Sequence, residues 1–295
     1  MYMYTITGVT GHVGAIVANE LLDRGKAVRV VLRDPAKRAP WEQQGAQSVL
    51  ADFADTQNLA EALRGSDGVF AMLPVLPSLD EAGHRRLVDS IAGAIEASGV
   101  GHVVLLSSIG ADLPGGTGPI RWLHDLEQRL AHTDAVVTAI RPCHFQEKVE
   151  VVLDAVLHGG IYPVFAASAD APEPMIATRD VGRAAAEALL ACPSVGESID
   201  LIGPAYTERD VTDRLAAILQ KPIEVVTIPR DGWVEAMVDA GLPTVFAKEL
   251  AELYAAGEDG LLRPCGDRQQ THSTPIEETL HRVIETTAGV HLNTQ

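Results

Sequence analysis

The chain is poor in cysteine, and its three cysteines lie far apart. Cys143, Cys192 and Cys265 form no Cys-x-x-Cys pair and leave an odd number in 295 residues, which argues against a disulfide scaffold and a structural zinc site. The ten histidines form no His-Glu-x-x-His pattern, so no metal site is predicted. Because residues 1–9 lack a secretory signal, we expect reduced thiols and a cytoplasmic location.

Basic residues and long apolar runs are also scarce. Lys and Arg total 23 against 40 Asp and Glu, which gives a formal net charge of −17. Such a surface repels nucleic-acid phosphates and anionic lipids, and no apolar run approaches the roughly 20 residues of a membrane span. We therefore predict no direct nucleic-acid partner and no membrane partner. With 46% apolar and 21% charged residues, the composition is that of a soluble globular protein.

The first half of the chain alternates between two kinds of apolar pattern. Strands are predicted over residues 3–7, 27–32, 47–50, 68–73, 100–106 and 135–140. Between them, apolar residues at helical spacing predict helices over residues 13–24, 57–63, 79–97 and 120–131. Alternating strands and helices form a parallel sheet with right-handed crossovers. The prediction is an α/β fold with a doubly wound parallel sheet of the Rossmann-like kind.

A glycine-rich segment, GVTGHVG over residues 8–14, follows the first predicted strand and opens the first predicted helix. Its spacing is G-x-x-G-x-x-G instead of the commoner G-x-G-x-x-G, but the physical roles of the glycines are the same. They allow a tight turn, a close approach of the backbone to a pyrophosphate, and close packing of helix on sheet. The predicted dinucleotide contacts are therefore Gly8, Thr10, Gly11, His12, Val13 and Gly14.

The end of the second predicted strand distinguishes between the two nicotinamide dinucleotides. An acidic residue there binds the ribose 2′-hydroxyl, whereas an arginine accommodates a 2′-phosphate. Arg33 occupies this position, and Lys37 and Arg38 follow within one turn. Asp34 precedes Pro35 and fits a helix N-cap. We predict NADP(H) in preference to NAD(H); the alternative is that Arg33 is a solvated surface arginine.

After Pro142 the regular alternation ends. Residues 159–174 are rich in Gly and Pro and predict loops with one short strand, after which helices are predicted over residues 178–191, 208–220, 231–240 and 245–256. Strands are predicted over residues 198–202 and 224–228. We predict an NAD(P)-binding domain over residues 1–150 and a smaller, mainly helical C-terminal lobe for substrate over residues 151–295. Residues 175–205 are expected to return to the first domain.

Several short motifs resemble the NmrA-like family, an atypical branch of the short-chain dehydrogenase superfamily. They are the glycine loop, Arg33-Asp34-Pro35, Ala51-Asp52-Phe53, Leu105-Leu106-Ser107-Ser108, Leu126-Glu127, Arg141-Pro142-x-x-Phe145, Thr178-Arg179-Asp180-Val181 and Leu253-Tyr254-Ala255-Ala256. In this order they cover nearly the whole chain. The family includes NADPH-dependent quinone reductases, isoflavone-reductase-like enzymes and redox-sensing regulators without enzymatic activity. A homodimer is an expectation from the resemblance only.

The resemblance also implies roles for residues at the strand ends. Asp52 and Phe53 would flank the adenine, and Leu73 and Pro74 would lie near the ribose phosphates and the nicotinamide. Ser107 and Ser108 would lie beside the nicotinamide, or else simply cap the strand end. The remaining residues implied in the nicotinamide and substrate pocket are Pro142, His144 and Phe145. Phe145 could equally belong to the core, and His144 could line the pocket without transferring a proton.

The chain departs from the superfamily where the acid catalyst is expected. Ordinary members use a Tyr-x-x-x-Lys pair, but the residues four positions after the five tyrosines are Ile6, Gly8, Ala166, Asp210 and Glu258. The ordinary alcohol dehydrogenase mechanism is therefore excluded. The predicted helix over residues 120–131 offers Trp122, His124 and Glu127 at this place instead.

Reduction of a quinone or a conjugated carbonyl compound needs less acid catalysis, because its oxyanion is delocalised and requires hydrogen-bond donors. Ser108 and His144 are the expected donors, and His144 could also protonate the product near neutral pH. His124 is a further candidate, and Tyr162 or Tyr254 could reach the pocket from the second lobe. The alternative is a non-catalytic NADP(H) redox sensor that acts through a protein partner. Isomerisation or elimination on the same scaffold is a third reading.

Overall fold

The computed structural model describes residues 2–288, and its largest element is a sheet of eight parallel strands. The strands of the chain are β1 (Met3–Ile6), β2 (Ala27–Leu32), β3 (Gln47–Leu50), β4 (Gly68–Met72), β5 (His102–Leu106), β6 (Val136–Pro142), β7 (His144–Phe145), β8 (Ile161–Val164), β9 (Glu173–Ile176), β10 (Glu197–Ile202), β11 (Ala205–Tyr206), β12 (Glu224–Thr227) and β13 (Arg268–Thr271). The strand order in the large sheet is β3-β2-β1-β4-β5-β6-β10-β13. The predicted doubly wound, Rossmann-like sheet is therefore confirmed.

Helices cover both faces of the sheet. The helices of the described residues are α1 (His12–Asp23), α2 (Arg38–Gln43), α3 (Thr56–Leu63), α4 (Glu81–Ser98), α5 (Arg121–Leu130), α6 (Thr178–Ala191), α7 (Glu208–Leu219), α8 (Trp233–Asp239), α9 (Thr244–Glu258) and α10 (Ile276–Ala288). Of these, α1 and α6 pack on one face of the large sheet, and α3, α4 and α5 pack on the other. Alternate residues along a strand point to opposite faces. Phe70 packs with α1 and α6 on one face, whereas Val69 and Ala71 pack with α3 and α4 on the other. Full burial on both faces explains the continuously apolar sequences of the central strands.

The chain leaves the large sheet after β6 and returns to it twice. Strand β10 pairs in parallel with β6, and β13 pairs in parallel with β10. Helix α6, between β6 and β10, packs on the large sheet with α1, whereas the other segments between these strands form, with α10, a helical lobe that contains two small sheets, β7-β9-β11 and β8-β12. Val149, Tyr162, Leu215 and Leu280 are among the residues of its main core.

Two elements in the C-terminal half of the chain, β13 and α10, were not predicted. Strand β13 has the sequence Arg-Gln-Gln-Thr at a sheet edge, so it lacks the apolar run that indicates a strand. Helix α10 carries Ile276, Leu280, Val283 and Ile284 at helical spacing, a signal that could have found it. The predicted N-cap is confirmed, since Asp34 Oδ1 accepts the Ala36 backbone N–H at 2.8 Å.

Between residues 2 and 288, no helix is both long enough and apolar enough to cross a bilayer. In the same range, no group of three or more His, Cys, Asp or Glu side chains is arranged to hold a metal ion.

Candidate active site

A cavity of about 370 Å³ lies at the carboxyl ends of the central strands. It is next to the point where the strand order reverses between β1 and β4, which is where open α/β sheets bind ligands. The glycine loop forms one side and the turn after β7 forms another. Its apolar wall contains Phe70, Met72, Leu106 and Phe145. The cavity thus joins the phosphate-binding loop to a hydrophobic compartment suited to flat, apolar groups.

The glycine loop fits a pyrophosphate. Gly8 has φ +66° and its carbonyl accepts the N–H of Gly11 at 3.0 Å, which closes the tight turn. A Cβ on Gly14 would lie 2.5 Å from the Gly8 carbonyl oxygen, so only glycine lets α1 pack so close to the loop. No side chain caps the first turn of α1. Its free N–H groups and positive dipole end can therefore receive an anion.

The cations after β2 divide into two kinds. Arg33 and Lys37 are exposed, and within residues 2–288 neither makes an ion pair. Arg38 instead donates to Ser48 Oγ at 2.7 Å and lies 3.3 Å from Glu42 Oε1. Two of the three predicted cations are consequently available to a phosphate, and the third is held in a local network.

The residues implied at the adenine and ribose lie on loops at the same end of the sheet. Asp52 is exposed, and its Oδ1 accepts the Ala54 N–H at 2.8 Å. Phe53 and Leu73 are half-buried and pack against the core on the α3 and α4 face, and Pro74 follows directly. Among the described residues, none of these four lines the cavity beside the glycine loop.

Ser107 belongs to a buried polar network. Its hydroxyl donates to Glu127, which also accepts Nε of Arg141 at 3.0 Å. The Arg141 and Glu127 side chains are only 10% and 11% exposed. Pro142, at the end of β6, is buried beside them. Three of the separate sequence motifs thus meet in one contact that ties α5 to β5 and β6.

Two of the three predicted catalytic residues are turned to backbone partners. Ser108 Oγ donates to the Ile109 carbonyl at 3.0 Å, and His124 Nδ1 donates to the Ala111 carbonyl at 2.9 Å. Neither residue lines the cavity. The structure brings His144 and Phe145 together there, but not Ser108 and His124.

His144 lies near one carboxylate and within the electrostatic influence of one ammonium. Its Nδ1 lies 3.6 Å from Glu173 Oε2, and Lys148 is close enough for its charge to be felt. Although the imidazole is 36% exposed and lines the cavity, its depth in the protein and then Lys148 lower its pKa well below 6.5. A neutral imidazole can donate a hydrogen bond, but it carries no extra proton to give near neutral pH.

Tyr162 and Tyr254 pack in the hydrophobic clusters of the lobe. Tyr162 is 2% exposed, and its hydroxyl donates to Glu208 Oε2 at 2.8 Å. The Tyr254 ring stacks on Phe165 with centroids 5.4 Å apart and meets the edge of Trp233 at 6.0 Å. Burial raises the pKa of both hydroxyls, and Glu208 raises it further. Neither tyrosine lines the cavity directly.

Two polar contacts at the cavity were missed by the sequence reasoning. Lys148 lines the cavity and its ammonium pairs with Glu208 at the start of α7. His12 Nε2 lies 3.0 Å from Glu150 Oε2, which joins the glycine loop to the second lobe. Lys148 lies three residues after Phe145, the last residue of the motif Arg141-Pro142-x-x-Phe145, and this closeness to the motif was the available signal in the sequence. Nothing in the sequence pairs it with a glutamate 60 residues later.

The chain is similar to NAD(P)H-binding proteins and to proteins named as reductases. Residues 8–191 match the profile of the NAD(P)H-binding family. The chain is 27% identical to an NAD(P)H azoreductase of Xenophilus azovorans over 86% of both proteins. It is 30% identical to a (4-alkanoyl-5-oxo-2,5-dihydrofuran-3-yl)methyl phosphate reductase of Streptomyces griseus, over 83% of the chain and 81% of that protein. An NADPH-dependent quinone oxidoreductase of Escherichia coli, solved with NADPH, superposes with a TM-score of 0.73 at 22% identity, covering 96% of this chain and 100% of that one.

Proposed function

The chain belongs to the NAD(P)H-binding family, in the NmrA-like class of atypical short-chain dehydrogenases, and on this premise we propose that it reduces a quinone or conjugated carbonyl compound with NADPH. The observation that carries the proposal is the cavity itself. One continuous space touches both the uncapped glycine loop and an apolar wall that includes Phe70, Met72 and Phe145. A flat organic acceptor fits such a compartment next to a bound dinucleotide.

NADPH is the preferred cofactor in this proposal because of Arg33 and Lys37. A 2′-phosphate carries two negative charges, and the protein as a whole has a net charge of −17 that would repel it. Arg33 follows β2 directly and is exposed without an ion pair among residues 2–288. It supplies the local positive charge that an NADP(H) site needs.

When bound, the reduced nicotinamide supplies a hydride, and the residues of this chain provide orientation and donors. Phe145 and the apolar wall exclude water and hold the acceptor flat. The N–H of neutral His144 can bind the oxygen on which negative charge develops. The function does not depend on a Tyr-x-x-x-Lys pair, since the oxyanion of a quinone or enone is delocalised.

The test is NADPH consumption by the purified chain with a panel of quinones, enones and azo compounds, followed at the nicotinamide absorbance. We expect turnover with at least one class of acceptor and faster turnover with NADPH than with NADH. The matched control is Gly14→Ala, which places a Cβ against the Gly8 carbonyl. If the chain binds NADPH but reduces no acceptor, the reductase proposal is wrong. The redox-sensor alternative then becomes the better account, and the internally bonded Ser108 and His124 would agree with it.

A further inference from the structure

One wall of the cavity carries a lysine side chain to which the proposed function assigns no role. Lys148 lies on the turn after β7, and its side chain is 20% exposed. Its ammonium pairs with Glu208, and the other carboxylate oxygen of Glu208 accepts the Tyr162 hydroxyl at 2.8 Å. The three side chains form a chain of contacts from the cavity to the core of the lobe.

The rest of the lobe fixes the positions of Glu208 and Tyr162. Glu208 is the first residue of α7, whose start is closed by a capping box between Thr207 and Asp210. Tyr162 is held in the lobe core by burial. An ammonium has three N–H donors, and among residues 2–288 its one side-chain partner is Glu208. Donors therefore remain for a ligand in the cavity.

The other polar side chains at the cavity are less suitable. Glu147 accepts both the N–H and the hydroxyl of Thr178, and Glu150 pairs with His12. Both are carboxylates and would repel a developing oxyanion. His144 is neutral for the reasons given above and can donate a hydrogen bond but not balance a charge.

We propose that Lys148 binds the carbonyl oxygen of the acceptor and donates a proton to it, with Glu208 and Tyr162 as positioning residues. This role rests on the proposed reductase function. It also narrows the substrate class, because the favoured acceptors have an exposed carbonyl oxygen that becomes a phenol or enol oxygen on reduction.

The electrons and atoms of the step balance. The β-carbon of the conjugated acceptor gains a hydride, the C=C π pair shifts to form the C=C bond of the enol, and the C=O π pair becomes a lone pair on oxygen. An O–H bond forms as one N–H bond of the Lys148 ammonium breaks, and the neutral amine regains its proton from water. The reductant is the dihydronicotinamide of the proposed function, which loses two electrons.

A binding experiment without turnover tests the oxygen site. The probes are 4-nitrophenolate and its uncharged analogue 4-nitroanisole, bound to the full chain without cofactor and followed by near-ultraviolet and visible absorbance. We expect the phenolate to bind about tenfold more tightly than the anisole, because it accepts a charge-assisted hydrogen bond. Lys148→Met should remove this preference and Lys148→Arg should keep part of it. Lys248→Met, at an exposed site on α9, should keep all of it.

Three results would overturn the proposal. The preference for the phenolate over the anisole could survive unchanged in Lys148→Met. Both probes could instead lose affinity by the same factor in this variant, which would show that Lys148 only shapes the cavity. A lower NADPH affinity with an unchanged phenolate preference would assign Lys148 to the cofactor instead.

Turnover separates this proposal from the reductase function on which it rests. Lys148→Met should lower kcat by about 100-fold or more, as loss of an oxyanion donor does, while NADPH affinity is unchanged. Tyr162→Phe should lower kcat by about tenfold and leave KM within about twofold, a split that general loss of structure would not give. Full activity in Lys148→Met would overturn the proposed role of Lys148 but not the reductase function. Absence of turnover in the unaltered chain overturns the reductase function, whatever the phenolate result.

Discussion

Replacing Arg33 by alanine tests how the chain chooses its cofactor. The side chain is exposed at the end of β2 and makes no ion pair within residues 2–288, so its removal leaves no protein group unpaired. A charge-assisted hydrogen bond to a phosphate contributes about 1.5–3 kcal/mol. At about 1.4 kcal/mol for each factor of ten, the NADPH affinity should fall by about 10- to 100-fold. The exposed position favours the lower end, since water screens the contact.

The assay is a fluorescence titration of NADPH and of NADH with both proteins, expressed as the ratio of the two Kd values. NADH lacks the 2′-phosphate, so its affinity should change by less than about twofold. Arg64→Ala is the matched control, because Arg64 is also exposed but follows α3 and not β2. Arg38→Ala should leave the ratio nearly unchanged, since Arg38 is held by Ser48 and Glu42. An unchanged ratio in Arg33→Ala would refute the assignment of Arg33 to the 2′-phosphate.

Three other changes test the site and its supports. Gly14→Ala should lower NADPH affinity more than tenfold and cost about 1–3 kcal/mol of unfolding free energy, whereas Gly101→Ala, in open space, should do neither. Glu147→Ala should lower the unfolding free energy by about 3 kcal/mol in urea titrations, because it leaves buried donors at the start of α6 unpaired, and a loss under about 1 kcal/mol would contradict this. Iodoacetamide at about pH 8 should label exposed Cys192 before Cys143, since burial raises the pKa of the Cys143 thiol to about 11. Equal labelling by mass spectrometry would contradict that account.

The sheet was predictable from sequence because its information is local. Each central strand is an apolar run covered on both faces, and the glycine loop lies within seven consecutive residues. Strand β13 was not predictable in the same way. Its polar sequence becomes a strand only because β10 offers a free edge, which is a property of the assembled sheet.

The candidate site was predictable in part. The motif Arg141-Pro142-x-x-Phe145 indicates a pocket wall, and the structure places Phe145 and the adjacent His144 at the cavity. The contacts of side chains were not predictable, because they join residues that are distant in the chain. Lys148 with Glu208 and Ser107 with Glu127 are examples. The residue types near a pocket can be predicted from a sequence, but the direction of each side chain depends on packing in the folded protein.

The edge strand β13 has a consequence for the synthesis of the protein. Strands β1 to β6 are complete by residue 142, yet β10 remains without its outer neighbour until residues 268–271 have left the ribosome. Contacts over such separations form late, and an unpaired strand edge is a known site of aggregation. The nascent chain therefore carries an open sheet edge, first at β6 and then at β10, until β13 is made, and a chaperone that covers β10 would have its main effect between the synthesis of β10 and that of β13.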